Sequence, residues 1–181
     1  MSFLETLNQR NEVFAMSRFS ADLKIMPSMK TVIIGCVDPR VDPVDIFQLE
    51  PGEAAVIRNV GGRIDMATLQ TMAIVRSVAK ANGKDVGPGW NLIVLHHTDC
   101  GIVPCHHHSP ALLQKHFNVT KEGLDAMEID DPYKAVAIDV AALKANPNLP
   151  GEFTVTGLVY DVETGRIETV VPPTLLREGS A

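Results

Sequence analysis

Two short stretches carry the residues best suited to chemistry: Cys36-Val37-Asp38-Pro39-Arg40 and His96-His97-Thr98-Asp99-Cys100-Gly101. Thiolate and imidazole are the preferred ligands of zinc, and a catalytic zinc keeps a fourth position open. Cys36, His97 and Cys100 supply three such groups, and the His-x-x-Cys spacing lets two of them reach one ion from a single turn. Two thiolates offset the charge of Zn2+, which leaves a weaker Lewis acid than a three-histidine site. Asp38 could hydrogen-bond a zinc-bound hydroxide, and Arg40 could hold Asp38 in a two-pronged ion pair. That set serves metal-assisted activation of water. Each stretch alone has a plainer reading, because a cysteine at a strand end is usually a small buried hydrophobe. Their joint placement is what favours a metal.

That placement depends on the elements around them. Thr31 to Cys36 is a continuous apolar run of strand length, as expected of a strand buried on both faces of a parallel sheet. Residues 54–58, 91–96 and 153–160 read as three further strands, and 166–170 alternates like an antiparallel edge strand. Residues 64–81 carry Leu69, Met72, Ala73 and Val78 at helical spacing, and Asn82-Gly83 stops them. Asp131-Pro132 starts another helix through Tyr133, Val136, Val140 and Leu143, which ends at Asn146-Pro147. Residues 99–130 are the least regular part. The alternation predicts an α/β fold: a mostly parallel central sheet of about four strands plus an antiparallel edge strand, flanked by helices. Ligands of such sheets sit beyond the carboxyl ends of the strands. Cys36, the Asn59-Val60-Gly61-Gly62 loop and His97-Thr98-Asp99-Cys100 all follow strands, so they are expected to converge on one edge.

At the N-terminus, Ser2-Phe3-Leu4-Glu5 fits a capping box. Residues 2–18 read as an amphipathic helix carrying Leu4, Leu7 and Phe14, packed either on its own domain or as an arm on a partner subunit. The 181 residues, 45% apolar and 21% charged, suit one domain, and the net charge of −6 argues against nucleic-acid binding. No apolar run is long enough to cross a membrane, and Glu5, Arg10 and Glu12 interrupt any signal peptide. Three widely spaced cysteines make a poor disulfide framework and suit a reducing cytoplasm.

The paired motifs resemble the zinc signature of the beta-class carbonic anhydrases, and Arg58-Asn59-Val60-Gly61-Gly62-Arg63 is similar to that family's glycine loop. The resemblance covers roughly residues 30–101. It implies that Cys36, His97 and Cys100 bind one Zn2+ per subunit and that Asp38 and Arg40 orient the zinc hydroxide in the reversible hydration of CO2 to bicarbonate. Gly61, Gly62 and Gly101 are expected to place the substrate. The resemblance also implies one domain over residues 1–181, with residues 1–25 as an exchanged arm in a homodimer or a higher oligomer built from dimers. Some relatives close the site when Arg40's counterpart releases the aspartate onto zinc. Others hydrolyse carbonyl sulfide or carbon disulfide on the same site, and a non-catalytic zinc module is the alternative from another class. Pro27 stands where plant-type members have a substrate-contacting glutamine, and Val60 where alanine is usual.

Among the remaining residues, His96 reads as packed beneath the site or as a proton relay. Cys105 reads as a spare thiol, and Asp99 as a hydrogen-bonding neighbour of the ligands rather than a ligand. Cys105-His106-His107-His108 reads as a polar loop near the site mouth, because adjacent residues seldom all chelate one ion. Arg58 reads as pairing with a carboxylate across a subunit interface.

Overall fold

The computed structural model describes residues 2–177. Its centre is a five-stranded sheet in the order β2-β1-β3-β4-β5. These strands are β1 (Thr31–Cys36), β2 (Ala54–Asn59), β3 (Asn91–His97), β4 (Thr154–Asp161) and β5 (Arg166–Leu175). The first four are mutually parallel and β5 is antiparallel to β4. The unbroken apolar run of β1 is buried at every residue, as a central strand covered on both faces requires.

The chain leaves β1 on one side to form β2, then crosses to the other side for β3. A crevice therefore opens between the carboxyl ends of β1 and β3, the switch point at which open α/β sheets bind ligands. Register fixes what lies there: Cys36 pairs with Asn59 and Gly35 with Leu95, so the tails of β1, β2 and β3 emerge side by side.

Helices α1 (Phe3–Ser17), α2 (Pro43–Ile46), α3 (Met66–Ala81), α4 (Ile102–His108), α5 (Pro110–Phe117), α6 (Lys121–Asp125) and α7 (Pro132–Ala145) complete the structure. Asp65 caps α3 by accepting from Thr68 N, and Asp131 caps α7 with Pro132 in its first turn. Met72 of α3 and Val136, Val140 and Leu143 of α7 pack on Val32, Ile34, Leu92, Val94 and Val155 of the sheet. Residues 99–130 are more ordered than the sequence pattern suggests. Each of α4, α5 and α6 is too short to show a period, but together they bury a second cluster of Ile102, Leu113, Leu124 and Ile129. Strand β5 also outruns its expected end and passes through Pro172 and Pro173. An edge strand bonded on one side tolerates their missing N–H groups.

The capping box of α1 is formed: Ser2 N donates to Glu5 Oε2 at 2.6 Å and Glu5 N to Ser2 Oγ at 3.3 Å. None of the helix's residues is buried, and Phe3 is 80% exposed, so the helix buries no side chain against its own domain. Among the described residues no helix is long and apolar enough to cross a membrane.

Candidate metal centre

Cys36 is the last residue of β1, and the chain turns at once through Asp38-Pro39-Arg40, closed by Val41 N donating to Asp38 O at 3.1 Å. Buried Val41 anchors the turn. Arg40 grips the Asp38 carboxylate four times, from N (2.9 Å) and Nε (3.1 Å) to Oδ1 and from Nε (3.3 Å) and Nη2 (2.7 Å) to Oδ2. Its guanidinium also reaches the β3 tail, donating from Nη1 to Asp99 Oδ2 at 2.8 Å and from Nη2 to Asp99 O at 2.9 Å. Asp99, left-handed at φ 52°, thus ties the two motif loops together through Arg40.

Arg58 clamps the same turn from β2. It donates to Cys36 O (2.8 Å), Asp38 O (2.6 Å) and Asp42 Oδ2 (2.6 Å). Its partner is therefore within the chain and not across an interface. The register that sets Arg58 beside Gly35 leaves its side chain facing the exit of β1.

These loops bring Cys36 Sγ, Cys100 Sγ and a His97 ring nitrogen within 4.8 Å of one another. The sulfurs are 3.9 Å apart, too far for a disulfide and close to the ~3.8 Å that two thiolates on one tetrahedral zinc must keep. His97 Nδ1 donates to Thr98 O at 2.8 Å, which fixes the tautomer and leaves Nε2 with its lone pair. That Nε2 is buried and has no hydrogen-bond partner. A buried acceptor aimed at two thiols is the orphan a metal ion satisfies, so the residues present fit zinc.

The electrostatics agree. The Cys100 thiol donates to Cys36 and pulls it down to about 4, against burial; His97 and the N–H groups of Asp38 and Gly61 assist. Cys100 is pushed up, first by Cys36 and then by burial. The two sulfurs are close enough to share a proton, and a cation held by both would displace it. For His97, burial opposes the charged form, but the Cys36 sulfur and the Thr98 carbonyl raise it on balance. Asp38 is held at about 2, chiefly by Arg40.

A cavity of about 280 Å3 opens beside the cluster. Val37, Pro39, Val60 and Ile102 form its apolar wall, and Cys36 and Asp38 its polar end. Gly61 and Gly101 also line it, as does Cys105. Gly61 has φ 74°, and a Cβ there would stand 2.8 Å from Ile102 Cδ1. Gly62 has φ 67° and lies against the strand ends, where a Cβ would stand 3.0 Å from Leu95 O and 3.2 Å from Cys36 N. Gly101 is right-handed with open space on its Cβ side.

Beneath the cluster, Asp139 Oδ2 lies 2.9 Å from both His96 Nε2 and Arg63 Nε, and all three residues are buried. Arg63 Nη2 also donates to Met127 O at 2.9 Å. Burial pushes His96 down more strongly than Asp139 raises it, so the imidazole is neutral and packed. Asp139 escaped the sequence reading. Its signal was there: a lone acid among Val136, Val140 and Leu143 on the buried side of α7. The His106-His107-His108 tract is the last turn of α4 and not a loop, because Ile102 pins that helix into the second core. Pro27 lies beside Gly52, Ala54 and Ala55 at the amino end of the sheet, remote from this chain's cluster.

Fold and cluster together define a parallel-sheet α/β protein with a thiolate–imidazole metal centre at its switch point. The sequence profile of the carbonic anhydrase family matches residues 31–167, which include both motifs. The chain belongs to that family, within its beta class. It is 26% identical over 162 residues to beta-carbonic anhydrase 1 of Mycobacterium tuberculosis, spanning 90% of this chain and 94% of that one. The crystal structure of a carbonic anhydrase from Streptococcus mutans superposes with a TM-score of 0.73 at 27% identity, covering 94% of this chain and 98% of the other. A carbon disulfide hydrolase of Acidianus sp. is a more distant relative, 22% identical over 190 residues, with 91% and 87% covered.

Proposed function

We propose that this protein is a zinc lyase that reversibly hydrates CO2 to bicarbonate, with Cys36, His97 and Cys100 holding one zinc ion and Asp38 and Arg40 serving catalysis. The observation that carries this reading is the orphaned His97 Nε2 set against two thiols at the end of an apolar cavity. A bound zinc ion supplies a water of lowered pKa, hence a nucleophile near neutral pH. Cys36, Cys100 and His97 Nε2 fix the ion, and Thr98 O keeps the imidazole in the required tautomer. Asp38, ionised throughout the neutral range, accepts a hydrogen bond from the attacking water and so aims its lone pair. So acidic a carboxyl orients a proton without retaining it. Arg40 holds that carboxylate in place, and Asp99 holds Arg40. Val37, Val60 and Ile102 accommodate a small apolar molecule and keep bulk water from it. Gly61, Gly62 and Gly101 shape the substrate's place: Gly61 directs its N–H at Cys36, Gly62 lets the loop approach the strand ends, and Gly101 leaves room.

Residues 1–181 act as one beta-carbonic-anhydrase-like domain, and residues 1–25 as an arm that packs on a second copy in a homodimer or an oligomer of dimers. The exposed apolar residues of α1 support this. The working compartment is reducing, such as the cytoplasm, because Cys36 and Cys100 must stay unoxidised to hold zinc. The test is a stopped-flow assay of the zinc-loaded protein with CO2, paired with carbonyl sulfide and carbon disulfide. CO2 hydration that disappears on chelation, while circular dichroism keeps the folded signature, is expected. Hydrolysis of a sulfur substrate without CO2 hydration replaces this reading with the hydrolase one, and loss of fold on chelation replaces it with a structural zinc module.

A further inference from the structure

At the far end of α4 a second convergence of ligand groups stands apart from the thiol cluster. His106 Nδ1 lies 3.1 Å, and His107 Nε2 2.9 Å, from the same oxygen, Asp130 Oδ1. One nitrogen of each ring and a carboxylate oxygen all fall within 4.8 Å of one another. Consecutive helical residues point about 100° apart, which is why neighbouring histidines rarely share an ion. Here the first ring offers its near nitrogen and the second its far one, with the rings tilted by 55° and their centroids 5.6 Å apart, and the divergence is cancelled. His108 takes no part: its Nδ1 lies 2.9 Å from Pro104 O, back along the helix.

We propose that His106, His107 and Asp130 form a second divalent-metal site, specific for borderline transition metals such as zinc. Two imidazoles and one carboxylate suit Zn2+, Ni2+, Co2+ or Cu2+, whereas Ca2+ and Mg2+ require mainly oxygen donors. The site is half open: the His107 and Asp130 side chains are 56% and 53% exposed, and His106 19%. An ion can therefore enter from solution and keep water on its remaining positions. The hydrogen bonds from His106 and His107 hold the Asp130 carboxyl below the usual carboxylate range, so the anionic ligand is present at neutral pH. Asp130 lies between α6 and α7, so an ion here ties α4 to the segment that carries Met127 and Ile129 against the buried layer under the thiol cluster. The donor set lacks sulfur, so this site binds more weakly than the Cys36–His97–Cys100 cluster and fills after it. None of this depends on what reaction the first cluster performs.

The experiment is a zinc titration of the zinc-loaded full chain, read by isothermal titration calorimetry and equilibrium dialysis, with melting temperature followed in parallel. The wild type is expected to take a second equivalent of zinc and to melt higher as it does so, since an ion that binds only the native state stabilises it. A His107→Ala/Asp130→Ala variant, with unchanged circular dichroism, is expected to take one equivalent and show no zinc-dependent melting shift. The milder His107→Gln keeps a hydrogen-bonding side chain and is expected to lose the second equivalent as well. His108→Ala is expected to keep it. Saturation of the wild type at one equivalent, survival of the second equivalent in the double variant, or its loss in His108→Ala overturns the proposal.

Discussion

Arg40 depresses Asp38 to about 2, against ~3.9 for a free aspartate. A depressed carboxylate contributes its full stabilisation above about pH 4 and loses it as the pH falls towards 2. In the neutral and alkaline range Asp38 is therefore ionised with or without its partner, and replacing Arg40 changes the aim of the carboxylate and not its charge. Arg40→Gln is expected to lower CO2 hydration about 100-fold, the scale of a misplaced catalytic group. The factor should be the same across neutral and alkaline pH in a stopped-flow profile. A deficit that grows steeply as the pH falls would show that charge, not aim, was lost. The Cys36–His97–Cys100 cluster and the Asp38–Arg40 pair were legible in the sequence because their chemistry is local: each motif spans a few residues, and strand ends locate both. Arg58 was not, because its partners depend on the register between β1 and β2, and a register is invisible until the sheet is assembled.

The same limit operates among elements. Long periodic helices and the buried strands announced themselves, whereas α4, α5 and α6 are each shorter than the window in which a period can be recognised. Helix α7 hides the most consequential omission. Asp139 joins it to His96 at the end of β3 and to Arg63 beyond the glycine loop, a charged contact made in full burial. Burial penalises the Arg63 cation, and Asp139 offsets part of that penalty. Removing the carboxylate strands a buried guanidinium. Asp139→Ala is accordingly expected to destabilise the fold by about 3–5 kcal/mol, read from urea unfolding. An Arg63→Met/Asp139→Leu double variant, which removes both charges and keeps their volume, is expected to recover most of that loss. If the double variant is as unstable as the single one, shape and not charge compensation is what the triad provides.

For the whole molecule, the exposed apolar face of α1 is the feature that calls for a partner. A helix of 15 residues with a formed capping box is still marginal in water on its own. Yet this one lies with Leu4, Leu7 and Phe14 along one face and none of them buried. The outer side of α3 likewise leaves Met66 and Ile74 uncovered, and a groove of about 240 Å3 lined by Leu69, Met72, Leu149 and Phe153 adjoins it. Burying apolar side chains at about 25 cal/mol per Å2 is a term large enough to keep such a helix formed, and on the proposed arm-exchange reading a second copy of this chain would provide that burial. Sedimentation equilibrium of the full chain is therefore expected to give a dimer or a multiple of it. Leu7→Glu/Phe14→Glu, placed on the solvent side of the single chain, leaves the sheet and its core untouched and should shift the equilibrium to monomer. If the helix instead serves its own subunit, the charged variant will keep the wild-type mass and lose only helical signal. If the full chain is monomeric at micromolar concentration, the arm has no partner of its own kind.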